Sequence, residues 1–295
     1  MMSCSSSTIS SSYEFDSPDA DVVLVSSDPV SPSQFHVHRC ILAVASPFFR
    51  DMFSLPQGPS SSCSDKLPTI PVSESRDVLD PLLRFVYPIP DPILVSLDEL
   101  DKVLAAAVKY EFDATIRALR GFLISPAFLH TSPVRVYSIA CRYGLMDEAK
   151  IASRYTLGTD LLQLEGVAAE ELKNMVAWDF HRLLMLHKGR SEAALAFIRT
   201  VEAEEGLCGG GVVKCVQCNG SMFTAQGSPK WWIEWEKRAE KELKIRPTTE
   251  VIFGLEFLYG AARSAGCIRC TGSVVESWKV LADLKEAIDS LPSTI

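Results

Sequence analysis

A chain of 295 residues is long enough for about two domains, each able to bury its own core. With 47% apolar and 22% charged residues the body is globular rather than disordered, and no window reaches the run of about 18 apolar residues that a membrane span needs. A formal net charge of -8 argues against a broad nucleic-acid-binding face, and nine cysteines without an export signal read as reduced thiols or metal ligands in an intracellular protein, cytoplasmic or nuclear.

Residues 1–19, beginning "MMSCSSSTISSSYEFDSP", have neither a basic nor an apolar leader region and are expected to form a loose serine-rich tail. The β-branched run "ADVVLVSS" from Ala20 and the alternating "QFHVHR" from Gln34 predict two strands paired as a hairpin. Ile41, Leu42, Val44 and Ala45 are expected on one helix face. Ser46 and Pro47 cap and open a second helix, whose apolar side is Phe48, Phe49, Met52 and Phe53. "QGPSSSCSD" reads as a polar loop, and "KLPTIPV" as a short edge strand, since proline cannot donate to a sheet ladder.

Val78, Leu82, Phe85 and Val86 then recur at helical spacing until "YPIPDP". Leu97, Leu100, Val103, Leu104 and Ala107 mark the next amphipathic helix, and Phe112, Ile116, Leu119 and Leu123 another. Strands followed by helices make residues 20–125 an α+β unit. "AVKYEFDATIRALRGFL" from Ala107 is echoed by "ACRYGLMDEAKIASRYTL" from Ala140, each reading as helix, tight turn, helix. Two copies are too few for a solenoid. Residues 126–205 continue as helices with Trp178, Leu183, Leu184, Leu195, Phe197 and Ile198 in the core. After the break "GLCGGGVVKC", residues 206–295 form a cysteine-rich helical region. In it "PKWWIEWEKRAEKELKIRP" starts at Pro229, carries Glu234–Arg238 and Glu240–Lys244 pairs and stops at Pro247, and a final helix turns Val274, Trp278, Leu281 and Ile288 inward. Trp231, Trp232 and Trp235 could anchor a partner, but at this spacing at least one ring should be core.

The first unit resembles a BTB/POZ domain. The residues that carry the likeness are Asp21-Val22-Val23-Leu24, then Phe35, Val37-His38-Arg39, Ile41-Leu42-Ala43, and Ser46-Pro47-Phe48-Phe49 with Met52-Phe53; "SPFFRDMFSLPQ" is most similar to fungal members. "YSIACRYGLMDEAKIASRYTL" resembles the BACK-type helical extension that follows many such domains. The resemblance implies a non-enzymatic interaction protein that pairs with itself or with another BTB protein through Val22, Leu24, Ile41, Leu42 and Val44, with Asp21 and Arg39 forming a charged pocket. It also implies that His38 is a structural residue at the strand-to-helix corner rather than, with His36, part of a metal site. Some relatives act as substrate adaptors of cullin-type ubiquitin ligases. Those often carry an acidic residue shortly after an apolar one, where this chain has Phe53-Ser54-Leu55-Pro56-Gln57.

Beyond the resemblance, Cys215 and Cys218 ("CVQCNG") and Cys267 and Cys270 ("CIRCTG") repeat a Cys-x-x-Cys-x-Gly pattern. Tight turns let paired thiolates converge on one cation with main-chain N–H groups aimed at the sulfurs, and the glycine relaxes the backbone after the second ligand. Together the pairs could close a structural zinc site. The 48 residues between them exceed the roughly 15–20 of common zinc ribbons, so unliganded thiols and a redox-active Cys-x-x-Cys stay open as alternatives. "GGGVVKC" does not have phosphate-loop spacing, no His-Glu-x-x-His occurs, and Ser46 is not in a Gly-x-Ser-x-Gly elbow, so no enzyme is expected apart from the thiol-redox alternative.

Overall fold

β1 (Val22–Val25) and β2 (Gln34–Val37) form the expected antiparallel hairpin, with Val22 opposite Val37 and Leu24 opposite Phe35. The alternation read in "QFHVHR" is obeyed, Phe35 and Val37 being buried while Gln34 is exposed. β3 (Thr69–Pro71) lies parallel to β1 on its other side, giving the order β2-β1-β3 and placing Pro71 on an edge where its missing N–H costs nothing. This computed structural model describes residues 13–55, 67–203, 212, 213, 215, 217, 218 and 228–295. The polar loop at 57–65, most of the serine-rich tail and most of the break from residue 206 lie outside the described residues, as do Cys4, Cys63, Cys208 and Gly220.

The chain divides into two compact units, residues 1–125 and 126–295. In the first, α1 (Arg39–Ala45), α2 (Pro47–Ser54), α3 (Arg76–Val86), α4 (Leu97–Lys109) and α5 (Asp113–Leu123) complete the α+β unit. Its core contains Val22, Leu24, Val37, Leu42, Phe49, Leu82, Leu100 and Leu104. Ser46 Oγ accepts the Phe49 N–H at 3.1 Å, as an N-cap should, and donates to the Tyr110 carbonyl at 2.5 Å, so one hydroxyl starts α2 and ties it to the end of α4. Within residues 13–19, expected in the tail, Phe15 and Asp16 are attached to the sheet. Phe15 is buried against Phe35 and Tyr87, its carbonyl accepts the His36 N–H at 2.8 Å, and Asp16 bridges to His36 along the outer rim of β2. Val44 departs from the expected face and is 90% exposed, because residues two apart on a helix point to opposite sides and Leu42 takes the inward one.

In the second unit α6 (Pro126–Thr131), α7 (Pro133–Arg142), α8 (Met146–Thr156) and α9 (Gly166–Glu171) lead through a 3₁₀ turn (Leu172–Asn174) to α10 (Ala177–Ala203). α11 (Lys230–Ile245), α12 (Thr249–Ile252), α13 (Leu255–Ser264), α14 (Cys270–Glu276) and α15 (Trp278–Asp289) follow. The echo seen in the sequence is a repeated turn. Tyr110 and Tyr143 end their helices with matching backbone (φ -97, ψ 8 and φ -98, ψ 10), and Glu111 (φ 56) and Gly144 (φ 68) then turn left-handed. Phe112 and Leu145 donate back to Ala107 and Ala140 at 2.9 and 2.8 Å and bury their side chains, which is the Schellman arrangement with its hydrophobic contact.

Arg190 of α10 is buried and donates to the carbonyls of Pro247 (3.0 Å), Ile288 (3.0 Å), Leu291 (2.6 Å) and Pro292 (3.2 Å). It places a positive charge at the C-terminal end of α15, where the helix dipole favours one. Leu183, Leu195 and Ile198 are core as expected, whereas Trp178 (66% exposed) and Phe197 face outward. The expected single final helix is interrupted at Ser277, so Val274 belongs to α14. Trp278 opens α15 roughly a quarter turn off the stripe of Leu281, Leu284 and Ile288, and its ring is 70% exposed. Among the described residues no helix is long and apolar enough to cross a membrane.

Candidate metal centre and interaction surface

α13 ends in a left-handed residue, Gly266 (φ 67), which turns the chain so that Cys267 points back into the unit. A turn closed by the Cys270 N–H on the Cys267 carbonyl at 3.2 Å then makes Cys270 the first residue of α14. The glycine that matters to this pair therefore precedes its first cysteine, while Gly272, expected to relax the backbone after the second, sits inside α14. On the other side Val213 is held at both ends of its peptide: its N–H donates to Ser277 Oγ at 3.0 Å, and its carbonyl accepts from Ser273 Oγ at 2.5 Å. Ser273 also accepts the Trp231 indole N–H at 2.9 Å.

These constraints bring Cys215, Cys218, Cys267 and Cys270 together, with all four sulfurs within 4.8 Å of one another. Cys215 Sγ is 3.6 Å from Cys267 Sγ, and Cys218 Sγ is 3.7 Å from Cys270 Sγ. A tetrahedral cation with bonds of about 2.3 Å to sulfur spaces its ligands about 3.8 Å apart, so the cluster has the dimensions of such a site. Three of the cysteines are buried and Cys218 is half-buried. The first N–H groups of α11 face the cluster, Lys230 toward Cys218 and Trp231 toward Cys270, while the N–H groups of Gln217 and Cys218 face Cys215. Burial raises the Cys218 and Cys270 thiols above their ordinary range. At Cys215 burial is outweighed by the Cys218 and Gln217 N–H groups and by the neighbouring thiols, which bring it down to about 7.

Within the 48-residue insertion between the pairs, residues 228–266 are packed helical structure. Trp231, Trp232 and Trp235 are all fully buried in the same core as Cys215, Cys267 and Cys270, which places the tryptophans inside rather than on a partner-facing surface. Sequence reasoning missed the serine pair formed by Ser273 of α14 and the capping Ser277 that follows it. Ser273 and Ser277 are four apart on one helix face, and that spacing was the only available signal.

In the first unit Val22, Leu24 and Leu42 are covered by their own chain, Ile41 is half-buried, and only Val44 of that set presents its full side chain. Asp21 and Arg39 meet, but Asp21 Oδ1 accepts the Arg39 main-chain N–H at 2.7 Å at the start of α1, while the guanidinium lies over the Phe53 ring, 5.3 Å from its centroid. The carboxylate thus acts on the helix end, and the two residues of the expected charged pocket meet through the main chain. His38 sits at the strand-to-helix corner, Nδ1 3.1 Å from the Tyr87 hydroxyl and Nε2 3.2 Å from Asp19. Among the described residues the four cysteines are the only group of His, Cys, Asp and Glu with metal-ligand geometry, and His36 and His38 belong to none.

This unit thus has a central hairpin, a parallel third strand, and helical pairs that bury Leu42, Phe49 and Leu104. Residues 15–126 match the BTB/POZ domain family model. The match begins at the buried Phe15 and ends one residue past the boundary between the units. The BTB/POZ domain is a protein-interaction domain, so a protein-interaction role is supported for the unit that carries Val44. No curated protein matches the chain.

Proposed function

We propose that this chain is a non-enzymatic interaction protein that associates through its BTB/POZ domain with a second copy of itself or with another BTB protein. The match over residues 15–126 carries this reading. The exposed Val44 on α1, beside half-buried Ile41, offers an apolar partner surface a side chain to cover. The cullin-adaptor alternative has less behind it, because Phe53-Ser54-Leu55 is followed by Pro56 and Gln57 rather than an acid. The helical pair α7–α8 supports the BACK-like reading of the residues that follow the domain.

The four-cysteine cluster is read as holding one structural zinc ion, whose four thiolates would leave no coordination position for a substrate. Thiol-redox chemistry is the weaker alternative, because three of the sulfurs are buried in the tryptophan core. Native mass spectrometry of the full chain tests both parts: a dimer carrying one zinc per subunit is expected. A monomer at every concentration removes the self-association reading, and Val44→Asp should give that monomer without unfolding the chain.

A further inference from the structure

Among the described residues of the stretch that supplies Cys215 and Cys218, the apolar side chains in or against the core are Val212, Cys215 and Cys218. Val212 is half-buried, Cys215 is buried, and the remaining contacts seen for this stretch include the two bonds of the Val213 peptide to Ser273 and Ser277. Its two sulfurs enter the same core as Trp231, Trp232 and Trp235. Four thiolates and one divalent cation carry a net charge of -2, and placing that charge against indole rings requires compensation. Compensation is present: the N–H groups of Gln217 and Cys218 face Cys215, those of Lys230 and Trp231 face Cys218 and Cys270, and the last two belong to the N-terminal turn of the 16-residue helix α11. Neutral thiols would make poor use of that donor set.

We infer that the cation is the staple that folds the 212–218 stretch onto α11 and α14, so that metal occupancy sets how firmly the triple-tryptophan core is closed. This rests on the zinc reading of the cluster. In balanced form, four thiols and one Zn²⁺ give a tetrathiolate and up to four released protons, with no change of oxidation state. Two of the four ligands lie on the stretch and two on the α13–α14 junction. Losing the cation therefore removes the link between them and leaves thiolates or thiols to be resolvated. Because an ion that binds only the closed form stabilises it by mass action, free zinc at 100 times its dissociation constant should lower the open population about 100-fold.

Hydrogen exchange on the full-length chain, with zinc alone as the probe, tests this. Amides of α11, α13 and α14 should exchange about 100-fold more slowly at that zinc concentration than in the metal-free chain, and those of α1–α5 should be unchanged. One zinc bound with no change in α11 or α14 overturns the staple while leaving the site intact. Failure to take up any zinc, with all four thiols open to alkylation, overturns the zinc reading and the staple with it. Cys218→Ser, at the half-buried ligand, should fold, as α1–α5 protection will report, and lose the zinc-dependent protection; Cys141→Ser on α7 should keep it. Full retention in Cys218→Ser overturns the staple.

Discussion

Each of the two units of this chain has a core of different chemistry. In the first, the buried polar side chains among the described residues are only Ser26, Ser46 and Thr115, and the core is otherwise aliphatic and aromatic. In the second, Glu148, Glu171, His187 and Arg190 are buried together with several hydroxyls and the cysteine cluster. Glu171 alone takes Ser138, Arg142 and Arg135 around one carboxylate. An apolar core responds mainly to volume, whereas a core built around charges and thiols also responds to pH and to metal. The unit matching an interaction domain should therefore stay constant under conditions that loosen the other unit.

The largest expected break of this contrast is Arg190→Met. It keeps much of the aliphatic stem but withdraws the donors from four carbonyls, and should cost the second unit about 3 kcal/mol. Urea unfolding followed by hydrogen exchange should show the loss in α10, α12 and α15 and none in α1–α5. Equal loss in both units would dissolve the contrast.

A pH change is next. His187 is buried, with Nε2 3.2 Å from Thr156 Oγ1, whose own proton goes to the Ser153 carbonyl. Burial disfavours the imidazolium and brings its pKa down to about 4. Between about pH 6.5 and 4 the unfolded chain binds a proton that the folded chain does not. This contribution is therefore complete above about pH 6.5 and lost as the pH falls toward 4, up to about 3 kcal/mol. Unfolding midpoints at pH 7 and 4.5 should separate for the native chain and draw together in His187→Gln; an unchanged gap in the variant would assign the effect elsewhere.

The smallest effect is expected in the apolar unit. Ser46→Ala removes the α2 cap and the link to Tyr110, about 1–2 kcal/mol, read as a thermal-midpoint shift that is the same at pH 7 and 4.5. A pH-dependent shift there would mean that the first unit is not as insensitive as its core suggests.

What could be read from the sequence follows the same line. The hairpin, the Ser46 cap, the edge position of β3, the Pro229–Pro247 helix and its Glu234–Arg238 and Glu240–Lys244 pairs rest on near neighbours in the chain, and each is present. Trp178 and Trp278 are placed inward by a reading that takes apolarity for burial, yet only the packing partner decides which side of a helix is covered. The convergence of the cysteines was legible as two matched turns. The donors around them were not, because the main-chain N–H groups of Lys230 and Trp231 carry no residue-type signal and their position depends on where α11 begins. Phe15 was lost in a serine-rich run, although one aromatic side chain there was enough to attach the stretch to the sheet.

That attachment bears on how the sheet avoids adding further strands edge to edge. A three-stranded sheet has two rims, each a row of main-chain donors and acceptors on which another strand can crystallise. Phe15 and Asp16 lie along the rim of β2, and Pro71 interrupts the rim of β3, so both ends of the sheet are blunted by the chain's own residues. Trimming the protein to begin at Ala20, where its regular pattern starts, would uncover the first of these rims and leave β2 as a template for fibre-like stacking.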